Sequence, residues 1–280
     1  LSRALDIPSS KIRVIKPRIG GGFGGKQTAC VEIFTALVTL KTGKPAKIIY
    51  DRKETFTCTT SRHAMKLNVK VGADKDGTIK VIDIDALSDT GAYGEHASTT
   101  FGLVGEKTMP MYGKLNAARF KGNVVYTNKT PAGAFRGYGA TQGTFAVESA
   151  VNELAHKLGI DPTEIRMKNL VNQSEKVSGD IKKCISIGKE AFDWKNRTVK
   201  DMGNGKVRAS GMAVTMQGSG IANVDTASAT LKLHDSGDYT LYLGVTDMGQ
   251  GCDTVLAQMA SEILEVPVEK IIVNTADTDT

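Results

Sequence analysis

The sequence predicts a mixed α/β (α+β) fold in two subdomains, and three observations lead to it. Strand-like and helix-like segments interleave along the 280 residues. Two hairpin signals lie far apart, one at Asp76-Gly77 and one at Ser236-Gly237-Asp238, each between alternating apolar segments. Glycine-rich loops stand before helical segments in both halves of the chain, and the halves share no close sequence repeat.

The elements are justified in order. Residues 1–8 read as the end of a helix, and 11–15, with Ile12, Val14 and Ile15, as a strand. A glycine loop follows, then a mostly apolar helix over 28–40 that stops near Thr42-Gly43, and a second strand over 46–50. Residues 66–73 and 79–86 form the first hairpin. Residues 87–140 are rich in Gly, Thr and Ala and read as a long functional loop region. Residues 141–158 carry apolar side chains at helical spacing and end at Gly159. Asp161-Pro162 caps and opens a further helix. A polar stretch, 172–206, holds a helix over 183–192 and a turn at Gly203-Asn204-Gly205, and is expected to join two subdomains, 1–171 and 207–280. The second subdomain is mainly strand, with weak alternation over 207–216, the second hairpin at 229–243, a helix over 253–264 and a strand at 271–273.

Composition bounds the function. At 40% hydrophobic and 24% charged the chain is of ordinary globular type. No apolar run approaches the roughly 18–20 residues of a membrane span, and the start has no signal-peptide pattern. Both ends read as cuts through a longer protein. The net charge of +6 comes from scattered Lys and Arg, which argues against nucleic-acid partners, and no membrane partner is expected without such a span. Cys30, Cys58, Cys184 and Cys252 form no CxxC pair, so the chain itself should hold neither a cysteine-ligated Fe–S cluster nor structural zinc. A reducing cytoplasm is the expected compartment.

Three loops pack glycines around functional side chains. The first is Gly20-Gly21-Gly22-Phe23-Gly24-Gly25-Lys26, the second Gly133-Ala134-Phe135-Arg136-Gly137-Tyr138-Gly139, and the third Thr246-Asp247-Met248-Gly249-Gln250-Gly251. Without a Cβ the backbone amides can approach a ligand closely, so three such loops suggest a large anionic cofactor. The first loop also nearly matches a P-loop, with Gly20, Gly25 and Lys26 in place. Gln27 stands where Ser or Thr would hold Mg²⁺, and no Walker-B strand is evident. Arg136 can serve a salt bridge or reach a buried anion. Tyr138 can be a core aromatic or a wall for a flat substrate. Gln250 is a candidate hydrogen-bond partner for a cofactor. His63, His96, His156 and His234 lack metal-ligand spacing, and Asp89, Glu95 and Glu106 cannot be told from solvated loop carboxylates.

Taken together, the ordered loops and the later Glu164-Ile-Arg-Met-Lys-Asn-Leu170 resemble the molybdopterin-binding subunit of the xanthine dehydrogenase and aldehyde oxidase family, through essentially the whole chain. The resemblance implies a molybdenum–molybdopterin cofactor, with the pterin's cytosine dinucleotide form one that bacterial relatives use. It implies hydroxylation of an aromatic N-heterocycle or an aldehyde with oxygen from water, and electrons leaving to Fe–S clusters and FAD on partner chains or domains. Carried over by position, Gly22, Phe23 and Gly24 line the molybdenum site. Phe135 and Arg136 meet the metal's oxygen ligands or the pterin, with Arg136 the catalytic residue of this chain. Met248, Gly249 and Gln250 bind the pterin and its phosphate. Tyr138 and Gln27 face substrate. Gln27 replaces a glutamate of xanthine-oxidising members, which puts xanthine itself in question. None of these residues ligates the metal directly. The family's general-base glutamate falls beyond Thr280, so the chain alone is expected to be inactive and to need the remainder of the molybdenum subunit. A P-loop-like nucleotide-binding protein and a non-catalytic scaffold of the same family are the other readings.

Overall fold

The computed structural model describes residues 1–173, 179–216 and 226–279. Residues 174–178 of the expected connecting segment, 217–225 of the final segment, and Thr280 lie outside the described residues. In chain order the elements are α1 (Ser2–Leu5), α2 (Glu32–Thr42), α3 (Arg52–Cys58), β1 (Ala64–Ala73), β2 (Ile79–Asp89), α4 (Ala97–Glu106), β3 (Ala117–Val125), α5 (Ala140–Leu158), α6 (Pro162–Asn169), α7 (Ile181–Ala191), β4 (Lys200–Asp201), β5 (Val207–Arg208), β6 (Ala229–Leu233), β7 (Tyr239–Leu243), α8 (Cys252–Leu264) and β8 (Ile271–Thr275), with short 3₁₀ turns between some of them. They fall into two compact units, residues 60–218 and residues 1–59 with 219–280. Both chain ends therefore belong to one unit.

The unit 60–218 is built on a three-stranded sheet of order β1-β2-β3. β1 and β2 form the predicted hairpin, and β3 returns parallel to β2 after α4. β2 is the central strand, with Ile79, Ile82, Ile84 and Ala86 buried in a core shared with Val147, Val151 and Ala155 of α5. Each buried isoleucine or valine contributes about 1.5–3 kcal/mol of burial free energy.

The 164–170 segment pins this core. Asn169 accepts from the Ile79 amide at 2.8 Å and donates to the carbonyls of Gly77 and Ile165 at 2.8 and 2.7 Å. Lys168 reaches Asp76 at 2.8 Å. Arg166, fully buried, donates to Glu148 at 2.8 Å. The segment that helped carry the family resemblance thus fastens α6 to the hairpin turn and to α5.

The start of α6 carries a titration-linked contact. Asp161 accepts from the Thr163 amide at 2.7 Å, from Trp194 Nε1 at 3.1 Å and from Arg197 at 2.8 Å. Burial alone would raise its pKa, but the bonds from Thr163, Trp194 and Arg197 overcome that and bring it to about 2, against an ordinary 3.8. A lowered folded-state pKa stabilises the fold above the unfolded value, and that contribution disappears as pH falls through the folded one. We expect the stability advantage of the wild type over Asp161→Asn, read from urea midpoints, to be full above about pH 4 and to shrink toward about pH 2. A pH-independent difference would show that Asp161 is not linked to folding.

The second unit repeats the same topology. Its sheet has the order β6-β7-β8, with a hairpin β6–β7, a crossover through α8 and β8 parallel to β7. Leu241, Ala257 and Ile271 form its small core. In both units the crossover helix is entered through a left-handed residue, His96 (φ 51°) before α4 and Gly251 (φ 81°) before α8. The two units thus share a ββαβ topology, whereas the sequence showed only a hairpin and a glycine loop before a helix in each half, and α4, the crossover helix of the first unit, lies in the region read as loop.

Several expectations are corrected. Residues 11–15 form no strand. A 3₁₀ turn covers Ser9–Lys11, and Ile15 makes a single bridge to Asp277, where Ala276 in the left-handed region (φ 53°) interrupts any longer ladder. Residues 46–50 have no ladder partner among the described residues, and Ile49 is 73% exposed. The helix predicted from residue 28 starts at Glu32, whose carboxylate accepts from the Cys30 and Val31 amides. α3 was not expected, although Asp51 and Glu54 form a complete capping box. The region 87–140 is not mainly loop, since it contains the end of β2, α4 and β3. Its glycines and threonines are used in packing: a Cβ on Gly139 would stand 1.9 Å from the Thr100 carbonyl of α4. Of 207–216 only Val207–Arg208 joins a ladder, while Met212, Val214 and Met216 still pack on the core.

Candidate functional site

In the unit formed by 1–59 and 219–280, the first and third glycine loops pack together. The Gly21 amide donates to the Met248 carbonyl at 2.7 Å. A Cβ on Gly22 would lie 2.7 Å from Met248 Sδ, so a larger residue there would push the flexible methionine side chain aside. Gly21 and Gly24 adopt φ of 95° and 88°. Phe23 between them is also left-handed (φ 51°) and 61% exposed. A bulky residue in that conformation is strained, and such strain gathers at ligand sites. Lys26 donates back to the Gly21 carbonyl at 2.7 Å and closes its own loop. Gln27 is exposed, and its amide donates to the Gly24 carbonyl.

The third loop is braced from within. Gln250 accepts from the Met248 amide at 2.7 Å and donates to the Thr246 carbonyl at 3.0 Å. Asp247 accepts from the amides of Gly249 (2.8 Å), Asp253 (3.3 Å) and Gly251 (3.4 Å), which hold its pKa low. A resident carboxylate therefore already occupies the start of α8, where the sequence suggests a phosphate. Asp247, Cys252 and Asp253 lie close enough to share a cation. Their chemistry argues otherwise: Asp247 is committed to amides, Lys16 stands 3.8 Å from Asp253, and burial together with the two carboxylates pushes the Cys252 thiol up.

In the unit 60–218, the second loop is held by a residue the sequence did not single out. Arg62 donates to the carbonyls of Arg136 at 2.7 Å and Tyr138 at 3.0 Å, and to the Thr141 hydroxyl. Its guanidinium lies 4.7 Å from the centre of the Phe135 ring. Phe135 and Arg136 are exposed. Tyr138 is left-handed (φ 50°), and its hydroxyl lies 2.8 Å from His96 Nδ1. Of the loop carboxylates, Asp89 is a strut. Bonds from Lys129, Thr127 and the Gly91 amide bring its pKa to about 2. Glu106 is exposed, whereas Glu95 has a buried oxygen without a partner. His63 is 1% exposed, and burial lowers its pKa. No local pattern around Ser61-Arg62-His63 reveals its role, because Arg62 acts on a loop more than 70 positions away.

The P-loop setting is not met. No strand precedes the first loop, and α2 begins well past Lys26.

Residues 1–170 match the molybdopterin cofactor-binding domain family, and residues 187–280 match a second family of the same description. Over 294 aligned positions the whole chain is 37% identical to the xanthine dehydrogenase molybdenum-binding subunit of Escherichia coli O157:H7. The chain belongs to the molybdopterin-binding xanthine dehydrogenase family. Over 59% of its length it is also 39% identical to the nicotinate dehydrogenase large molybdopterin subunit of Eubacterium barkeri, covering 39% of that protein. Its fold matches an aldehyde oxidoreductase from Desulfovibrio gigas with a TM-score of 0.83 at 28% identity, over the whole chain and 32% of that structure. The chain spans 39% of the length of the E. coli subunit.

The residues present fit the family's cofactor. Gly20 has nothing within 4 Å of a Cβ position, and Gly25 meets only the Gly22 carbonyl at 3.8 Å. Packing does not demand glycine at these two positions, and bare backbone is left facing open space, as a cradle for an anionic ligand requires. Among the described residues no helix is long and apolar enough to cross a membrane.

Proposed function

We propose that this chain is the cofactor-loop portion of a molybdenum hydroxylase that oxidises an aromatic N-heterocycle or an aldehyde with oxygen from water. The observation that carries the reading is the seam between residues 20–25 and 246–251, which leaves Phe23 and glycine backbone outward in a chain of this family. Bound there, the molybdenum–pterin group supplies the redox chemistry. Gly22, Phe23, Gly24 and Met248 form the cradle, while Gly249 and Gln250 shape it through their bonds within the loop. Phe135 packs beneath Arg62, and Arg136 presents a permanent positive charge where negative charge develops. Tyr138 offers its ring to a flat substrate, and Gln27 offers a neutral donor and acceptor. The proton-accepting base, the Fe–S clusters and FAD belong to the remainder of the subunit and to partner chains, so the chain alone is inactive. The subdomains 1–171 and 207–280, joined by 172–206, the cytosine dinucleotide form of the pterin and a cytoplasmic location belong to the same proposal.

The test is metal and pterin analysis of the native complex that contains this chain. Near-stoichiometric molybdenum with fluorescent oxidised pterin is expected. Their absence from an intact complex would replace the hydroxylase reading with a non-catalytic scaffold. A second expectation concerns substrate choice. Gln27→Glu should shift the kcat/KM ratio toward purines over aldehydes, and an unchanged ratio would remove Gln27 from the substrate pocket.

A further inference from the structure

We propose that His96 is a specificity-determining residue that holds the Tyr138 ring as a fixed face for a flat aromatic substrate. This rests on the reading of Tyr138 as a substrate wall. The Tyr138 hydroxyl lies 2.8 Å from His96 Nδ1, and the two rings meet edge to face with centroids 5.7 Å apart. With the imidazole neutral and its proton on Nε2, the phenol donates to Nδ1. Tyr138 is then gripped at both ends, by His96 at the hydroxyl and by Arg62 at the backbone carbonyl.

Both members of the pair sit in the left-handed region, Tyr138 at φ 50° and His96 at φ 51°. That conformation is costly for non-glycine residues and persists where the surroundings impose it. Two such residues in mutual contact indicate a built arrangement. Polar groups flank His96 along the chain: Glu95, its neighbour, has a buried oxygen without a partner, and so does Thr100, whose amide donates to the His96 carbonyl at 2.9 Å. Topology adds an independent reason. His96 enters the crossover helix of its ββαβ unit at the position that Gly251 holds in the other unit, next to the glycine loop of the cofactor cradle. In open α/β sheets these loops, after a strand and before a helix, carry ligand contacts.

The consequence is selective. With its hydroxyl engaged by His96, Tyr138 meets a substrate through its ring rather than as a hydrogen-bond donor. A fixed ring favours flat aromatic N-heterocycles and gives a small aliphatic aldehyde little to pack against.

The experiment uses the purified holoenzyme complex and a panel of nicotinate, quinoline, hypoxanthine, benzaldehyde and propanal. His96→Asn keeps the left-handed helix start, which asparagine tolerates, but is too short to reach the phenol. Tyr138→Phe removes the same bond from the other side without touching α4. Each variant is expected to raise KM for the best heterocycle roughly two- to tenfold, the range for one lost hydrogen bond. The kcat should change little, the double variant should be no worse than either single one, and KM for propanal should not move. Thermal midpoints and molybdenum content serve as folding controls. Independent, multiplying effects, equal shifts for propanal, unchanged KM in both variants, or a wild type that prefers propanal would each overturn the proposal. Tyr138→Ala separates the two levels. If it leaves heterocycle KM unchanged, or if no panel member is oxidised, the underlying reading of the site fails. If it raises KM while His96→Asn does not, only the role of His96 fails.

Discussion

Replacing Glu148 by alanine is expected to destabilise the chain by about 3–5 kcal/mol, the cost of leaving a buried charge without its partner. Glu148 is 2% exposed and lies on α5, next along the chain to Val147 of the 60–218 core. One oxygen accepts from Arg166 Nε and from the Val214 amide, both at 2.8 Å, and the other accepts from the Tyr112 hydroxyl. Arg166 is 0% exposed and further donates to the Pro162 carbonyl at 2.9 Å. Burial, and then the negative charge of Glu148, push the Tyr112 phenol far up, so it stays a donor at every working pH. One carboxylate thereby ties α5, α6, the turn before Tyr112 and the extended segment at Val214. Removing it strands the guanidinium and two further donors in apolar surroundings. Arg166→Met should cost a similar amount, because it leaves the carboxylate unpaired. The joint change Glu148→Ala with Arg166→Met should cost less than the sum of the single changes, because no isolated charge remains. Urea unfolding of the four proteins checks this. Additive losses would show that the two residues do not stabilise each other.

Arg136→Ala in the loaded enzyme is expected to lower turnover by about a hundredfold, the effect of removing one preorganised donor from a developing negative charge. The side chain is exposed at the tip of a loop whose backbone is fixed by Arg62, through the carbonyls on either side of Gly137. Arg62 holds the loop backbone whichever side chain stands at 136, and thermal midpoints and molybdenum content are matched between variant and wild type before rates are compared. Arg136→Lys should recover part of the rate, since it keeps the charge but loses the planar fork. Stopped assays with matched molybdenum content check both. An unchanged rate would exclude Arg136 from the reaction.

How far the sequence reaches depends on how local each signal is. Asp76-Gly77, Gly159, Asp161-Pro162 and Ser236-Gly237-Asp238 each specify a conformation through their own chemistry, and the structure shows every one as expected. The missed capping box at Asp51 and Glu54 was equally local and could have been read. The strands expected at 11–15 and 46–50 fail for a non-local reason. A β-branched segment becomes a strand only where another backbone accepts its hydrogen bonds, and the segment alone does not carry that partner. The glycine loops were legible as loops, but their glycines serve different ends. Gly139 is required by the backbone of α4, Gly22 gives room to the Met248 side chain, and Gly20 is required by no neighbouring atom.

The sequence by itself determined the family, the hairpins, most of the longer helices and the three glycine loops. Each of these is written in turn residues, in caps or in an ordered set of motifs. Only the tertiary structure decided that Arg62 clasps the second loop, that His96 holds Tyr138, that Asp247 and Gln250 brace the third loop from within, and that Glu148 and Arg166 join α5 to α6. Apart from the bracing within the third loop, these contacts are made by single side chains across the fold, some between residues 40 to 80 positions apart. No local periodicity or composition records such a pairing, because its free energy exists only once the packed backbone has brought the two groups together.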